Sequence, residues 1–209
     1  MQNTEAGNVV DANNEPLKLD GNYWSNRYND GTSFWDLGEV SPPLKNYIDQ
    51  LADKNVSILI PGCGNTYEAE YLLKLGFTDV TVIDIAPVLV SHLKEKYKSN
   101  QNIKIILGDF FKHKGEYDLI LEQTFFCAIN PLLRKDYVAK MQALLAPGGK
   151  LVGVLFNRRF EEQGPPFGGT QIEYEPMFAK NFVFKTFEPC YNSFSKRKNS
   201  ELFVNLVKK

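Results

Sequence analysis

The chain reads as an α/β protein built on a mostly parallel sheet, and three features of its 209 residues carry that reading. Short apolar stretches alternate with stretches of helical spacing through the middle of the chain. The apolar stretches tend to stop at Gly, Pro or Asp, and the last two are joined by a polar connector in the manner of a hairpin. Five strands with crossover helices, followed by that pair, predict a seven-stranded sheet with a C-terminal antiparallel hairpin and helices on both faces.

The elements follow in order. Residues 1–19 are rich in Asn, Asp and Glu and poor in large apolar side chains, which predicts a flexible segment ahead of one domain at 20–209. Residues 22–35 then gather Tyr23, Trp24, Tyr28, Phe34 and Trp35 around the turn signal Asn29-Asp30-Gly31. Ser41-Pro42-Pro43 opens a helix whose apolar residues recur at helical spacing as far as Leu51. Residues 56–60 form a strand ended by Pro61-Gly62, and residues 67–75 a helix closed by Gly76. A second strand at 80–83 leads into a helix at 87–98 with Leu89, Leu93 and Tyr97 on one face. Residues 103–107 and 117–121 are further strands. Residues 132–145 read as a longer helix carrying Leu133, Tyr137, Met141 and Leu144 in line, with Pro147-Gly148-Gly149 breaking it before a strand at 151–156. Residues 182–188 and 201–207 complete the hairpin.

Composition narrows the function classes. A net charge of −1 and a pI near 6.2 lack the basic excess of phosphate-backbone binding, so no nucleic-acid partner is expected. Cys63, Cys127 and Cys190 have no scaffold spacing and the first residues are polar, which predicts a cytoplasmic chain. No apolar run approaches the roughly 18 residues of a spanning helix, so no membrane partner is expected. A monomer is expected. No cluster of His, Cys and Asp has metal-ligand spacing.

The chemistry concentrates where strands end. Gly62-Cys63-Gly64 follows the first strand and feeds a helix, so backbone can approach a ligand there. Asp84 ends the second strand, about 20 residues on, where a carboxylate can accept ribose hydroxyls. Asp109, next to Phe110, follows the third strand at the same edge of the sheet. The glycines alone also fit a tight turn. A nicotinamide dinucleotide is the competing ligand, although Tyr67 replaces the third glycine of that fingerprint.

The ordered motifs VSILIPGCGN, VTVIDIA, ILGDFF, YDLILEQTFFCAINP and GPPFGGT resemble the thiopurine S-methyltransferase superfamily, closest to its thiol and halide methyltransferase branch. The resemblance runs from Trp24 to the C-terminus. It implies a Rossmann-like class I methyltransferase with S-adenosyl-L-methionine as cofactor and S-adenosyl-L-homocysteine as product. Trp24, Tyr28 and Trp35 match aromatic positions that close over the cofactor, so residues 20–40 are expected to form an aromatic lid; Tyr28 stands where relatives commonly have tryptophan. Gly62, in the loop it shares with Gly64, matches the position that contacts the methionine part, and Asp84 the ribose acid. Asp109 and Phe110 match the adenine-contacting pair, and Gln123 a cofactor-bordering position that is often Arg or Tyr. Apart from family, an indole face attracts a sulfonium, and Trp35 is the expected centre of that work.

Methyl transfer from a sulfonium is an in-line displacement in which positioning supplies much of the acceleration. A thiol is already partly thiolate near pH 7, and the sequence offers little base machinery, since His92 and His113 both read as surface residues. A small thiol, sulfide or halide acceptor is therefore expected, with an aromatic thiol such as a thiopurine, or cofactor binding without catalysis, as alternatives. Candidate pocket residues are Trp35, Phe125, Phe126, Phe167 and Tyr174, of which Tyr174 is expected to orient the nucleophile beside catalytic Trp35. Arg158 and Arg159 are candidates to attract an anion. Cys127 reads as inert packing.

Overall fold

The computed structural model describes residues 17–209. The expected flexible segment, residues 1–19, therefore lies outside the described residues except for its last three. Seven strands form one sheet: β1 Ile58–Pro61, β2 Val80–Asp84, β3 Ile103–Leu107, β4 Tyr117–Gln123, β5 Leu145–Phe156, β6 Phe182–Pro189 and β7 Glu201–Lys208. Their order is β3-β2-β1-β4-β5-β7-β6. The first five run parallel, and β7 inserts antiparallel between β5 and β6.

Six α-helices accompany the sheet among the described residues: α1 Gly21–Asn29, α2 Pro42–Ile48, α3 Tyr67–Lys74, α4 Pro87–Lys96, α5 Arg134–Leu144 and α6 Gln171–Ala179. Alternate strand residues feed opposite cores, because successive side chains leave a strand on opposite faces. Ile58 and Ile60 pack with Leu44, Ile48, Leu72, Leu89 and Leu93 of α2, α3 and α4. Leu59 packs on the other side with Tyr137, Met141 and Phe178 of α5 and α6. Covered on both faces, the central strands are continuous apolar runs. No helix among the described residues is long and apolar enough to cross a membrane.

Two elements differ from expectation. Pro147-Gly148-Gly149 does not separate a helix from a strand; β5 begins at Leu145 and carries these residues as an irregularity against β4, where the register jumps between Tyr117 and Leu119. The aromatic segment at 22–35 opens with an unexpected helix, α1: Trp24 and Tyr28, one turn apart, pack on the core, and Asp20 caps the helix by accepting from the Asn22 and Tyr23 amides at 3.0 Å each.

Gly153 of β5 lies opposite Glu122 of β4, and a Cβ there would sit 2.2 Å from the Glu122 carbonyl oxygen. Gly153→Ala is expected to push the two strands apart at a cost of about 1 to 3 kcal/mol. Scanning calorimetry should show a thermal midpoint lower by roughly 2 to 12 °C; an unchanged midpoint would mean that the strands have slack.

Candidate active site

Four strand ends meet at one cavity of about 800 Å³. After β1 the chain turns through Gly62, Gly64 and Thr66, with φ of +55°, +52° and +53°. Position 62 must be glycine, because a Cβ there would lie 2.2 Å from the Phe125 ring as well as in the left-handed region. Asp84, at the end of β2, is buried and accepts from the Ala86 amide at 2.9 Å and the Gly64 amide at 3.3 Å. Its carboxylate keeps further acceptor sites for a ligand. Asp109 follows β3, accepts from the Phe111 amide at 2.9 Å, and sets Phe110 edge-on to Phe125 at 5.1 Å. Gln123 ends β4, lines the cavity, and has both amide atoms buried without a partner.

The cavity has an aromatic roof. Helix α1 packs along α4, with Gly21 against the Ile85 carbonyl, which carries Trp24 and Tyr28 to the ends of β1 and β2. Trp24 and Tyr28 each meet Trp35 edge to face, with ring centroids 5.5 and 5.7 Å apart. The Tyr28 hydroxyl lies beside Gly64, 3.5 Å from where a Cβ there would sit; burial, and then the nearby Asp84, hold its proton well above the ordinary tyrosine range.

Polar contacts stitch the segment after α1 to the domain. Asp36 accepts from the Asn65 amide group, from the Tyr67 hydroxyl at 3.3 Å and from the Gly38 amide at 2.7 Å. The Ser41 amide donates to buried Glu68 at 3.2 Å. Arg197, buried beside the Phe156 ring, donates to the Trp35 carbonyl at 2.7 Å and to Glu201 at 3.4 Å.

The expected residues divide accordingly. Trp24, Tyr28, Trp35, Gly62, Gly64, Asp84, Asp109, Phe110 and Gln123 all line the cavity, as does Phe125. Tyr174 does not. Its ring is buried edge-on to Phe126 at 5.1 Å, its hydroxyl crowds Gly169, and the Arg134 guanidinium lies 5.3 Å from its centre. Phe126 and Phe167 are buried behind the wall as well, because Arg134 donates to the Phe167 and Gly168 carbonyls and draws that loop inward. Arg158 and Arg159 are exposed, the first over Phe160 and the second paired with Glu173. Phe34 projects to solvent at the cavity mouth. Cys127 lines the wall with its thiol pushed up to about 12 by burial and the nearby Glu122, so it stays protonated. His92 is exposed, and His113 pairs with the Tyr117 hydroxyl at 2.8 Å.

Arg197, Glu68, Asp36 and Glu122 are the functional candidates that sequence reasoning missed. The turn ahead of β7 was a visible signal for Arg197: β7 pairs antiparallel to β5, with Glu201 opposite Phe156, which returns that turn to the same edge.

The residues fit S-adenosylmethionine. An open glycine backbone, a buried acid with free lone pairs, unpartnered Gln123 and Thr66 polar atoms, and an aromatic roof suited to a sulfonium surround one space.

A family model described as thiopurine S-methyltransferase matches residues 19–208. A protein named probable thiol methyltransferase 2, from Arabidopsis thaliana, is 31% identical over 161 residues, covering 74% of this chain and 70% of that one. Thiocyanate methyltransferase 1 of Brassica oleracea is 27% identical over 184 residues, covering 85% and 81%. Among solved structures, Burkholderia thailandensis 1,6-didemethyltoxoflavin-N1-methyltransferase, with 1,6-didemethyltoxoflavin and S-adenosylhomocysteine bound, superposes with a TM-score of 0.72 at 19% identity, over 96% of this chain and 94% of that one.

Asp84→Ala is expected to weaken S-adenosylhomocysteine binding by about 1.5 to 3 kcal/mol, the scale of a charged hydrogen-bond partner. Calorimetry would read this as a dissociation constant raised roughly ten- to a hundredfold. Stability should also depend on pH. Burial raises Glu68, Asp84, Glu122 and Glu201 above their ordinary values, Glu122 to about 7. The folded chain therefore holds protons that the unfolded chain has released, and stability falls as pH rises from about 4.5 through 7. The thermal midpoint of the free protein should decline over that window, and less steeply in Glu122→Gln.

Proposed function

Because the chain belongs to the thiopurine S-methyltransferase family and is an S-adenosylmethionine-dependent methyltransferase, we propose that it methylates a small thiol, sulfide or halide. Arg197 carries the choice of acceptor. A guanidinium has five N–H donors, and the two hydrogen bonds that hold Arg197 leave others for a ligand in the cavity it lines. Thiolate, hydrosulfide and halide are soft anions, and a buried cation beside an aromatic wall favours them over neutral alcohols or amines. The names of the plant relatives, a thiol and a thiocyanate methyltransferase, point the same way.

When bound, S-adenosylmethionine supplies an electrophilic methyl group on a sulfonium. In this reading Asp84 holds the ribose hydroxyls, Asp109 and Phe110 border the adenine, and the Gly62 to Gly64 backbone borders the methionine part. Trp35, fixed by Trp24, Tyr28 and Arg197, holds an aromatic face toward the sulfonium and excludes water. Arg197 draws the anionic nucleophile to the same end of the cavity. A thiol acceptor needs no dedicated base, since its thiolate is already present near neutral pH and its proton goes to solvent. An apolar wall of Phe111, Phe125, Ile129 and Leu133 favours a second reading, in which an aromatic thiol such as a thiopurine takes this place.

Purified protein given labelled cofactor and a panel of thiols, hydrosulfide, halides, phenols and a thiopurine is expected to label the sulfur and halide acceptors. Transfer confined to phenols would remove this proposal, and a marked preference for the thiopurine would select the second reading.

A further inference from the structure

The cavity wall after β4 is held in an unfavourable shape. Thr124 sits at φ +60°, in the left-handed region that side chains avoid, and the chain turns there from Gln123 at the strand end to Phe125 against Gly62. What opposes the strain lies behind the wall. Glu122 is buried at the end of β4, and its Oε1 accepts from the Phe125 amide at 2.7 Å and the Phe126 amide at 3.0 Å. Its Oε2 accepts from the hydroxyl of Tyr137, itself wholly buried on α5. Glu122 is not among the residues that line the cavity. Three donors thus converge on one carboxyl group that a ligand cannot reach.

We propose that Glu122 is a positioning residue for methyl transfer: it fixes the 123–128 turn from behind, so that Gln123 and Phe125 stand in place beside the glycine loop. The proposal rests on the cavity being the methyltransferase site. A buried carboxyl group costs free energy, and β-branched Thr124 in the left-handed region adds to that cost. With the carboxylate removed, two buried amide donors lose their partner and Thr124 is free to relax toward ordinary backbone angles. The Phe125 ring then leaves Gly62, and the cavity loses the wall that faces the cofactor loop.

What matters is an acceptor oxygen at this reach, whatever its charge. A glutamine keeps one oxygen for the two amides and can donate its NH2 to the Tyr137 oxygen. An aspartate keeps the charge but withdraws both oxygens by one methylene. The test compares E122Q with E122D by calorimetric titration of S-adenosylhomocysteine, by acceptor KM and kcat, and by thermal midpoint, at a temperature where each is folded. Glu122→Gln is expected to bind within about threefold of the parent chain. Glu122→Asp is expected to bind at least tenfold more weakly while remaining folded, with raised acceptor KM, and to lose hydrogen-exchange protection in the peptide spanning 123–128. Equal affinity in both variants, or greater loss in E122Q than in E122D, would overturn the proposal. So would weak binding by E122D with its 123–128 peptide as protected as in the parent chain. If the parent chain fails to bind S-adenosylhomocysteine at all, it is the underlying assignment of the cavity that falls, a result distinct from any of these.

Discussion

The Phe125 ring occupies the space that a side chain at position 62 would fill, and the carboxyl edge of the sheet is organised around that contact. Strands β1 and β4 are neighbours, so the loops that leave them compete for the same volume. Glycine resolves the competition by letting one loop lie flat beneath an aromatic ring supplied by the other. The loop after β1 is also bound to β2, since Gly64 donates to Asp84 and Cys63 donates to the Ile83 carbonyl at 3.4 Å. Three strand ends are therefore interlocked, with one face of the glycine loop against protein and the other toward the cavity. This places the acid and the open backbone in fixed relation before any ligand arrives.

What was legible in the sequence is what local pattern encodes. Strands covered on both faces show as apolar runs, and Asp84, Asp109 and Gln123 are readable because each stands at or just after a strand end. The misread parts depend on distant partners. Helix α1 is not legible as a helix because its apolar face is only Trp24 and Tyr28, which pack on Trp35 and the core, while Ser25 is the residue it buries. Tyr174 was a plausible cavity residue until Arg134, 40 positions earlier in the chain, supplied a reason for its ring to turn inward. Arg197 lies 162 positions from the Trp35 carbonyl it bonds, while Arg158 and Arg159 stand immediately after β5 yet point into solvent. Proximity along the chain points to Arg158 and Arg159, whereas the antiparallel return of β7 is what brings Arg197 to the cavity.

The segment after α1 is held to the domain by polar contacts as well as by the packing of the Trp35 ring. Trp35 has its ring held by Trp24 and Tyr28 and its carbonyl held by Arg197, while the next residue, Asp36, is tied to Asn65 and Tyr67. Contacts of this kind contribute little net stability when water can replace them, on the order of 1 kcal/mol each. Polar contacts of this kind can be exchanged for water without disturbing the sheet, whereas the buried aromatic contacts of α5 and α6 cannot part without losing the core.

The charges around Trp35 are distributed to match the proposed chemistry. Asp36, Glu68 and Asp84 line the cavity on the side of the glycine loop, and Arg197 stands where the β5 and β7 ends meet. A cationic cofactor is favoured by the acids, and an anionic acceptor by the guanidinium. Between them the walls are aromatic, so charge separation is poorly screened and a reaction that cancels the two charges gains by it. Arg197 also donates to the Trp35 carbonyl, so the group proposed to recruit the acceptor is bonded to the backbone of the roof. Under the proposed function, an anionic acceptor would compete with the Trp35 carbonyl for the guanidinium donors of one side chain.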